Sequence, residues 1–275
     1  LKKIQSYQPR VIGLQIKRPQ QTNLAEGIRK DNIIAACVLA SMGQAEIPPP
    51  PNFPPENVYF SDLIPDNTFD QVVRRGLLFQ RPIENSKCDT DDSFSSILAT
   101  KYLEKLDIRA KHKIENKTFY FGNTSFPRLQ PNSGGYINID NQGYQVLINY
   151  RNHRNVAKSV SLTQVLTDKI NPNLIKDRLV IIGESARRLD AGRLTTYSSF
   201  REPNTVPRVV IHAQLTSQLI SAVLDNRPLI WYFPEWLEAV WIWSWSVIGG
   251  VLAWKVRRPV FLLIVSGFTI SGLII

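Results

Sequence analysis

The sequence is poor in the residues that usually carry chemistry. It has only two cysteines, Cys37 and Cys88, and three histidines, His112, His153 and His212. Two widely separated cysteines make neither a disulfide framework nor a thiolate metal site. Cys37 lies in the apolar run 33–40 and reads as a buried small hydrophobe; a bridge to Cys88 is open to it only in an oxidising compartment. The histidines have no cysteine or carboxylate nearby at metal-ligand spacing, so no metal site is expected. There is no G-x-G-x-x-G and no P-loop, and therefore no motif for a nucleotide cofactor. Gly183-Glu184-Ser185-Ala186-Arg187 follows a strand-like run as a nucleophile elbow would, but Arg187 stands where the tight turn needs glycine. No aromatic RNA-binding motif or zinc-finger spacing accompanies the net charge of +10, and the basic residues are scattered, which argues against nucleic acid as a partner. The expectation is a domain with no catalytic residues, no metal and no cofactor.

Long uncharged runs are present, and they gather at the C-terminal end. Residues 236–254 are apolar apart from Glu238, Ser244 and Ser246, and as a helix they span roughly 28 Å, close to the thickness of a bilayer core. Trp231, Trp236 and Trp241 mark one end and Trp254 the other, as in an interfacial aromatic belt. Lys255, Arg257 and Arg258 follow, and then a second apolar run, 260–275. This pattern predicts a transmembrane helical hairpin, the second helix truncated, with a basic turn that stays in the cytoplasm. Residues 1–228 then lie on the extracytoplasmic (periplasmic) side of an inner membrane, and 229–235 form the connector. A chain that begins at Leu1 and stops within an apolar run reads as part of a longer protein. The competing reading, a buried apolar hairpin in a soluble protein, has to place two runs of near-bilayer length inside one core.

Residues 1–228 alternate strand-like and helix-like stretches. Strands are expected at 11–16, 33–40, 58–61, 72–79, 144–150 and 179–183, and helices at 93–106, 162–167 and 211–224. The helix at 93–106 has Asp91, Asp92 or Ser93 as its cap. In the last helix Ile211, Leu215, Leu219, Ala222 and Val223 share a face. The proline-rich segment 46–55 reads as extended surface chain outside any sheet. The turn Asn132-Ser133-Gly134-Gly135 leads into an alternating stretch, 136–139, and 140–143 suits a hairpin turn into the strand at 144. The fold class is α/β or α+β, a mixed sheet with flanking helices, followed by the transmembrane hairpin.

Loops at the carboxyl ends of strands are the usual ligand positions in such domains. The basic, polar loop after Gly183 therefore makes Arg187, Asp190 and Arg193 a candidate ligand site, the alternative being a salt-paired surface loop. His212, near the start of a helix, either lines that site or is held by a loop carbonyl. Arg74 and Arg75 either bind an anion or edge a sheet.

Several segments together resemble the CHASE2 family of extracytoplasmic sensory domains of bacterial, especially cyanobacterial, receptors. They are Pro9-Arg10-Val11-Ile12-Gly13-Leu14, Phe69-Asp70-Gln71-Val72-Val73-Arg74-Arg75, Leu129-Gln130-Pro131-Asn132-Ser133-Gly134-Gly135-Tyr136, Lys176-Asp177-Arg178-Leu179-Val180-Ile181-Ile182-Gly183 and Val209-Val210-Ile211-His212-Ala213-Gln214. The resemblance implies a strand ending in glycine, a loop with aspartate and a helix opening with His-Ala, which here are Gly183, Asp190 and His212-Ala213. Gln15 stands where relatives usually have aspartate, and Thr195-Thr196 where they often read Thr-Pro. The resemblance further implies a sensor that relays a stimulus, not yet identified, through transmembrane helices to a cytoplasmic output domain in the same chain, a kinase or nucleotide cyclase, and that works as a homodimer. A membrane-anchored hydrolase and a purely structural assembly domain are the competing functions.

Overall fold

The computed structural model describes residues 1–16, 32–40, 46–66, 70–113, 118–151, 156–186, 190–198 and 204–255. In chain order they form α1 (Lys2–Ser6), β1 (Val11–Gln15), β2 (Ile33–Cys37), β3 (Val58–Phe60), β4 (Ile64–Pro65), β5 (Val72–Phe79), α2 (Phe94–Glu104), β6 (Ala110–Lys113), β7 (Thr118–Phe121) and β8 (Thr124–Phe126). Then follow β9 (Tyr144–Leu147), α3 (Leu162–Leu166), β10 (Leu179–Gly183), β11 (Leu194–Thr195), α4 (Arg208–Leu224) and α5 (Glu235–Lys255). They divide into two units, Leu1–Leu129 with Asn141–Ile230, and Gln130–Asp140 with Trp231–Ile275.

In the larger unit β10, β1, β2 and β3 lie in that order, all parallel. Parallel sheets are covered on both faces, which is why β1 and β2 are buried at every position. Side chains alternate across the sheet. Ile12, Leu14, Ile33 and Ala35 pack with Ile4, Val165 and Ile175 on one side, and Val11, Ile34 and Ala36 pack with Phe94 and Leu98 of α2 on the other. α2 starts where Ser93 Oγ accepts the Ser96 N–H at 3.1 Å. α3 starts with a capping box, Ser161 Oγ accepting from Gln164 N and Gln164 Oε1 from Ser161 N.

A second sheet is built around β5, which pairs parallel with β11 and antiparallel with β4 and β9. α4 lays Ile211, Leu215, Leu219 and Ala222 into the core beside it, the face expected from periodicity. Gly76 permits the approach, since a Cβ there would stand 2.7 Å from Leu215 Cδ2. A third sheet, β6-β7-β8, is antiparallel and adds Phe119, Phe121 and Phe126 to the same core.

The fold is thus mixed α/β, with differences from the expectation. β6, β7 and β8 fall in a stretch where no strand was expected. The signal was there: Gly122-Asn123 is a two-residue turn between Thr118–Phe121 and Thr124–Phe126. Residues 136–139 are irregular chain rather than strand, and 140–143 closes no hairpin, because β9 takes β5 as its partner. The proline-rich segment is not wholly outside the sheet: Ile47 bridges Val38 beside the end of β2. Cys37 and Cys88 are disulfide-bonded, with Cα atoms 5.7 Å apart, in a core pocket with Val58, Phe60 and Leu77.

In the smaller unit α5 is a single helix of 21 residues, apolar and long enough to cross a membrane, with none of its residues buried. Gln130–Asp140 folds against the chain entering it: Asn132 Nδ2 donates to Glu235 Oε1 at 3.1 Å. The second expected span, 260–275, lies outside the described residues, and only the first helix of the expected hairpin is seen.

Candidate functional site

The first strand of the chain, β1, sits between β10 and β2, so the direction in which strands are added reverses there. In open α/β sheets the crevice outside the carboxyl ends at such a reversal is where ligands bind. Gln15 and Gly183, the last residues of β1 and β10, are register partners at that edge. Gln15 is buried. The N-terminal turn of α4 rests on the same edge, and it can do so only because residue 183 is glycine: a Cβ there would lie 2.6 Å from Val209 Cβ.

α4 begins one turn earlier than the apolar periodicity indicates, at Arg208. That first turn carries unsatisfied N–H groups and the positive end of the helix dipole. Asp190 answers both. It is 3% exposed; its Oδ2 accepts the Arg208 backbone N–H at 2.7 Å and its Oδ1 accepts the Gly192 N–H at 3.2 Å. The Arg208 side chain is also buried, with Nε 3.8 Å from Asp190 Oδ1. Burial first, and then the like charge of Arg193, depress its affinity for a proton, while Asp190 and Asp62 oppose that shift. Arg193 is half-buried. It pairs its backbone with Val206 on the approach to α4, and its guanidinium donates to the Gly192 carbonyl at 3.0 Å.

Asp62, just past the end of β3, completes the charged set. Its Oδ2 accepts the Leu39 N–H at 2.9 Å, yet burial raises its carboxyl to about 6 against that bond and against Arg208. His212, one turn into α4, is 2% exposed and its Nδ1 is 2.8 Å from Ser95 Oγ on α2. Burial holds the imidazole down at about 4, with the Ser61 backbone and Asp190 favouring the proton too weakly to offset it. Nε2 faces the Ser61 backbone, outside strict hydrogen-bond geometry. The ring is therefore neutral near pH 7, a fixed polar contact between two helices.

Of the residues singled out in the sequence, Asp190, Arg193 and His212 come together around Arg208. Arg187 and His153 lie outside the described residues. Ser185 is exposed, and among the described residues neither a histidine nor a carboxylate bonds to it. Arg74 and Arg75 turn inward to carboxylates: Arg74 reaches Asp66 and Asp70, while Arg75 reaches Asp66 at 2.8 Å and Gln145 at 2.8 Å. They do not edge a sheet, since β5 has neighbours on both sides; Arg75 pairs the buried Asp66, and the half-exposed Arg74 pairs Asp66 and Asp70. Among the described residues no group of three or more His, Cys, Asp or Glu is placed to hold a metal. Sequence reasoning passed over Asp62, Arg208 and Ser95; the available signal for Asp62 was its place immediately after a parallel strand.

A family model, the CHASE2 domain, matches residues 1–251. The chain belongs to the CHASE2 family. CHASE2 domains are extracytoplasmic sensory domains. No curated protein and no solved structure matches the chain. Gln15, Gly183, Asp190 and His212 all lie around one end of the parallel sheet. The match also runs past the sensory fold and through most of α5.

Proposed function

We propose that this CHASE2 domain is the extracytoplasmic sensor module of a transmembrane receptor in an inner membrane, acting as a homodimer and relaying a stimulus through α5 to a cytoplasmic output domain, a kinase or nucleotide cyclase. The observation that carries this reading is α5 itself, in which not one residue is buried. An apolar helix serving as a soluble core is mostly buried; this one needs an apolar solvent. Lys255, Arg257 and Arg258 orient its far end toward the cytoplasm. The Cys37–Cys88 disulfide supports an oxidising compartment for the larger unit.

The input is read at the start of α4, by Asp190, Arg193, Arg208 and His212 with Asp62; Arg187, in the same loop of the sequence, is the further residue proposed to take part. The output leaves at the helix's other end. Gln218 holds Asn149 N at 2.7 Å and the Leu147 carbonyl at 2.9 Å, and Arg227 holds the Asn149 carbonyl at 2.8 Å. A stimulus shifts the output only so far as it favours one position of α4 over another. The test is a chimera of this chain with a histidine-kinase output. Asp190→Ala, which releases the first turn of α4, changes basal autophosphorylation; the same substitution behind a flexible Gly-Ser insertion between Pro228 and Pro234 leaves it unchanged. Equal effects with and without the insertion would contradict the relay.

A further inference from the structure

The smaller unit has a second apolar feature beside α5. Gln130–Asp140 carries one charge in its whole length, at Asp140, and it exposes Ile137 to 87%. No other isoleucine, leucine or valine among the described residues is as exposed. The loop is not loose at this point. Ser133 Oγ accepts the Gln130 N–H at 2.9 Å, Ile139 N donates to the Pro131 carbonyl at 3.1 Å, and Asn132 Oδ1 accepts the Asn138 N–H at 2.8 Å. Gly134 turns the chain at φ +58, close against Tyr232. Asn132 also donates to Glu235, the first residue of α5. Ile137 is thus one peptide bond from an N–H held by Asn132, and Asn132 holds the residue at which the helix begins. Trp231 and Trp236, 72% and 67% exposed, flank that residue.

We propose that Gln130–Asp140 is a membrane-contacting loop: it lies on the outer leaflet where α5 enters, and Ile137 sits at the headgroup–acyl boundary beside Trp231 and Trp236. The partner is the lipid surface. A loop whose one charge, Asp140, stands at its end and which holds one aliphatic side chain outward matches the interface, where partial burial of apolar groups is favourable and aromatic rings accumulate. The loop then adds to the tryptophan anchors in fixing the height and rotation of α5 at the membrane. This inference rests on the reading of α5 as a membrane span.

Both native cysteines are in the disulfide, so Ile137→Cys introduces the single free thiol, at a position with little contact to lose. The whole chain is reconstituted in phosphatidylcholine–phosphatidylglycerol vesicles, labelled at this thiol with bimane, and quenched with doxyl-labelled lipid or with aqueous iodide. Gly249→Cys, near the middle of α5 with open space around it, is labelled in parallel. The expected result is that shallow doxyl lipid quenches position 137, deep doxyl lipid quenches position 249, and iodide reaches neither well. If iodide quenches 137 and doxyl lipid does not, while 249 stays lipid-quenched, the loop inference is overturned and the span stands. If lipid quenches neither position, the span fails and the loop inference falls with it.

Discussion

Asp62 and His212 respond to acid in opposite senses within one cluster around Arg208. The Asp62 carboxyl is raised to about 6 by burial, so the folded state binds its proton more readily than the unfolded chain. That contribution to stability is present at low pH and is lost as pH rises through 6. The His212 imidazole is lowered to about 4 by burial, so its contribution is present above the ordinary histidine range and is lost as pH falls toward 4. Between about pH 4 and 6 the two effects offset each other. Asp62→Asn should therefore raise stability at pH 7 by about 1–2 kcal/mol, allowing for its partial solvent contact, and steepen the loss on acidification. His212→Asn should remove an acid loss of about 3 kcal/mol and leave a variant that gains stability as pH falls to 4. Urea titrations from pH 4 to 8 give both slopes, and parallel slopes for all three proteins would refute the assignment. Asp190 and His212 stood out because they carry the family resemblance, and Arg193 because it lies in the basic, polar loop after a strand. Asp62 and Arg208 were not, because no local pattern reveals that a charge at one strand end faces a helix start far along the chain.

At the scale of elements, legibility followed burial pattern. β1, β2, β5 and β10 are short apolar runs, and α2 and α4 show clear helical spacing, so their existence was readable. The first turn of α2 was readable too, since Ser93 caps it, but that of α4 was not: α4 starts at Arg208 because Asp190 supplies an acceptor from another segment. β9 was readable as a strand, but its partner was not, since pairing with β5 skips over the nearer β6, β7 and β8. Gly183 is the element-scale contact most open to test. Its Cβ position meets both Val209 and the Gln15 carbonyl, at 2.6 and 3.2 Å. Gly183→Ala must push α4 off the sheet edge and should cost about 1–3 kcal/mol. Gly249→Ala, in open space within α5, should cost nothing measurable. Thermal melts of the two variants decide it; equal melting temperatures would show that α4 is not seated on that edge.

For the whole molecule, what was hidden is that the smaller unit takes in Gln130–Asp140, some ninety positions before Trp231. The compartment is expressed in the disulfide, which closes a separation of 51 residues. Its reduction should destabilise the larger unit by about 4 kcal/mol on a chain-entropy basis, read as a lowered urea midpoint with reductant. An unchanged midpoint would remove the disulfide as a support for an oxidising compartment. The orientation of the chain tests the receptor reading most directly. Alkaline phosphatase, active only outside the cytoplasm, is fused in cells after residue 228 and, separately, after residue 258. The expected result is high activity from the first fusion and background activity from the second; the reverse pattern, or equal activity from both, would contradict an extracytoplasmic sensory domain entering the membrane at α5.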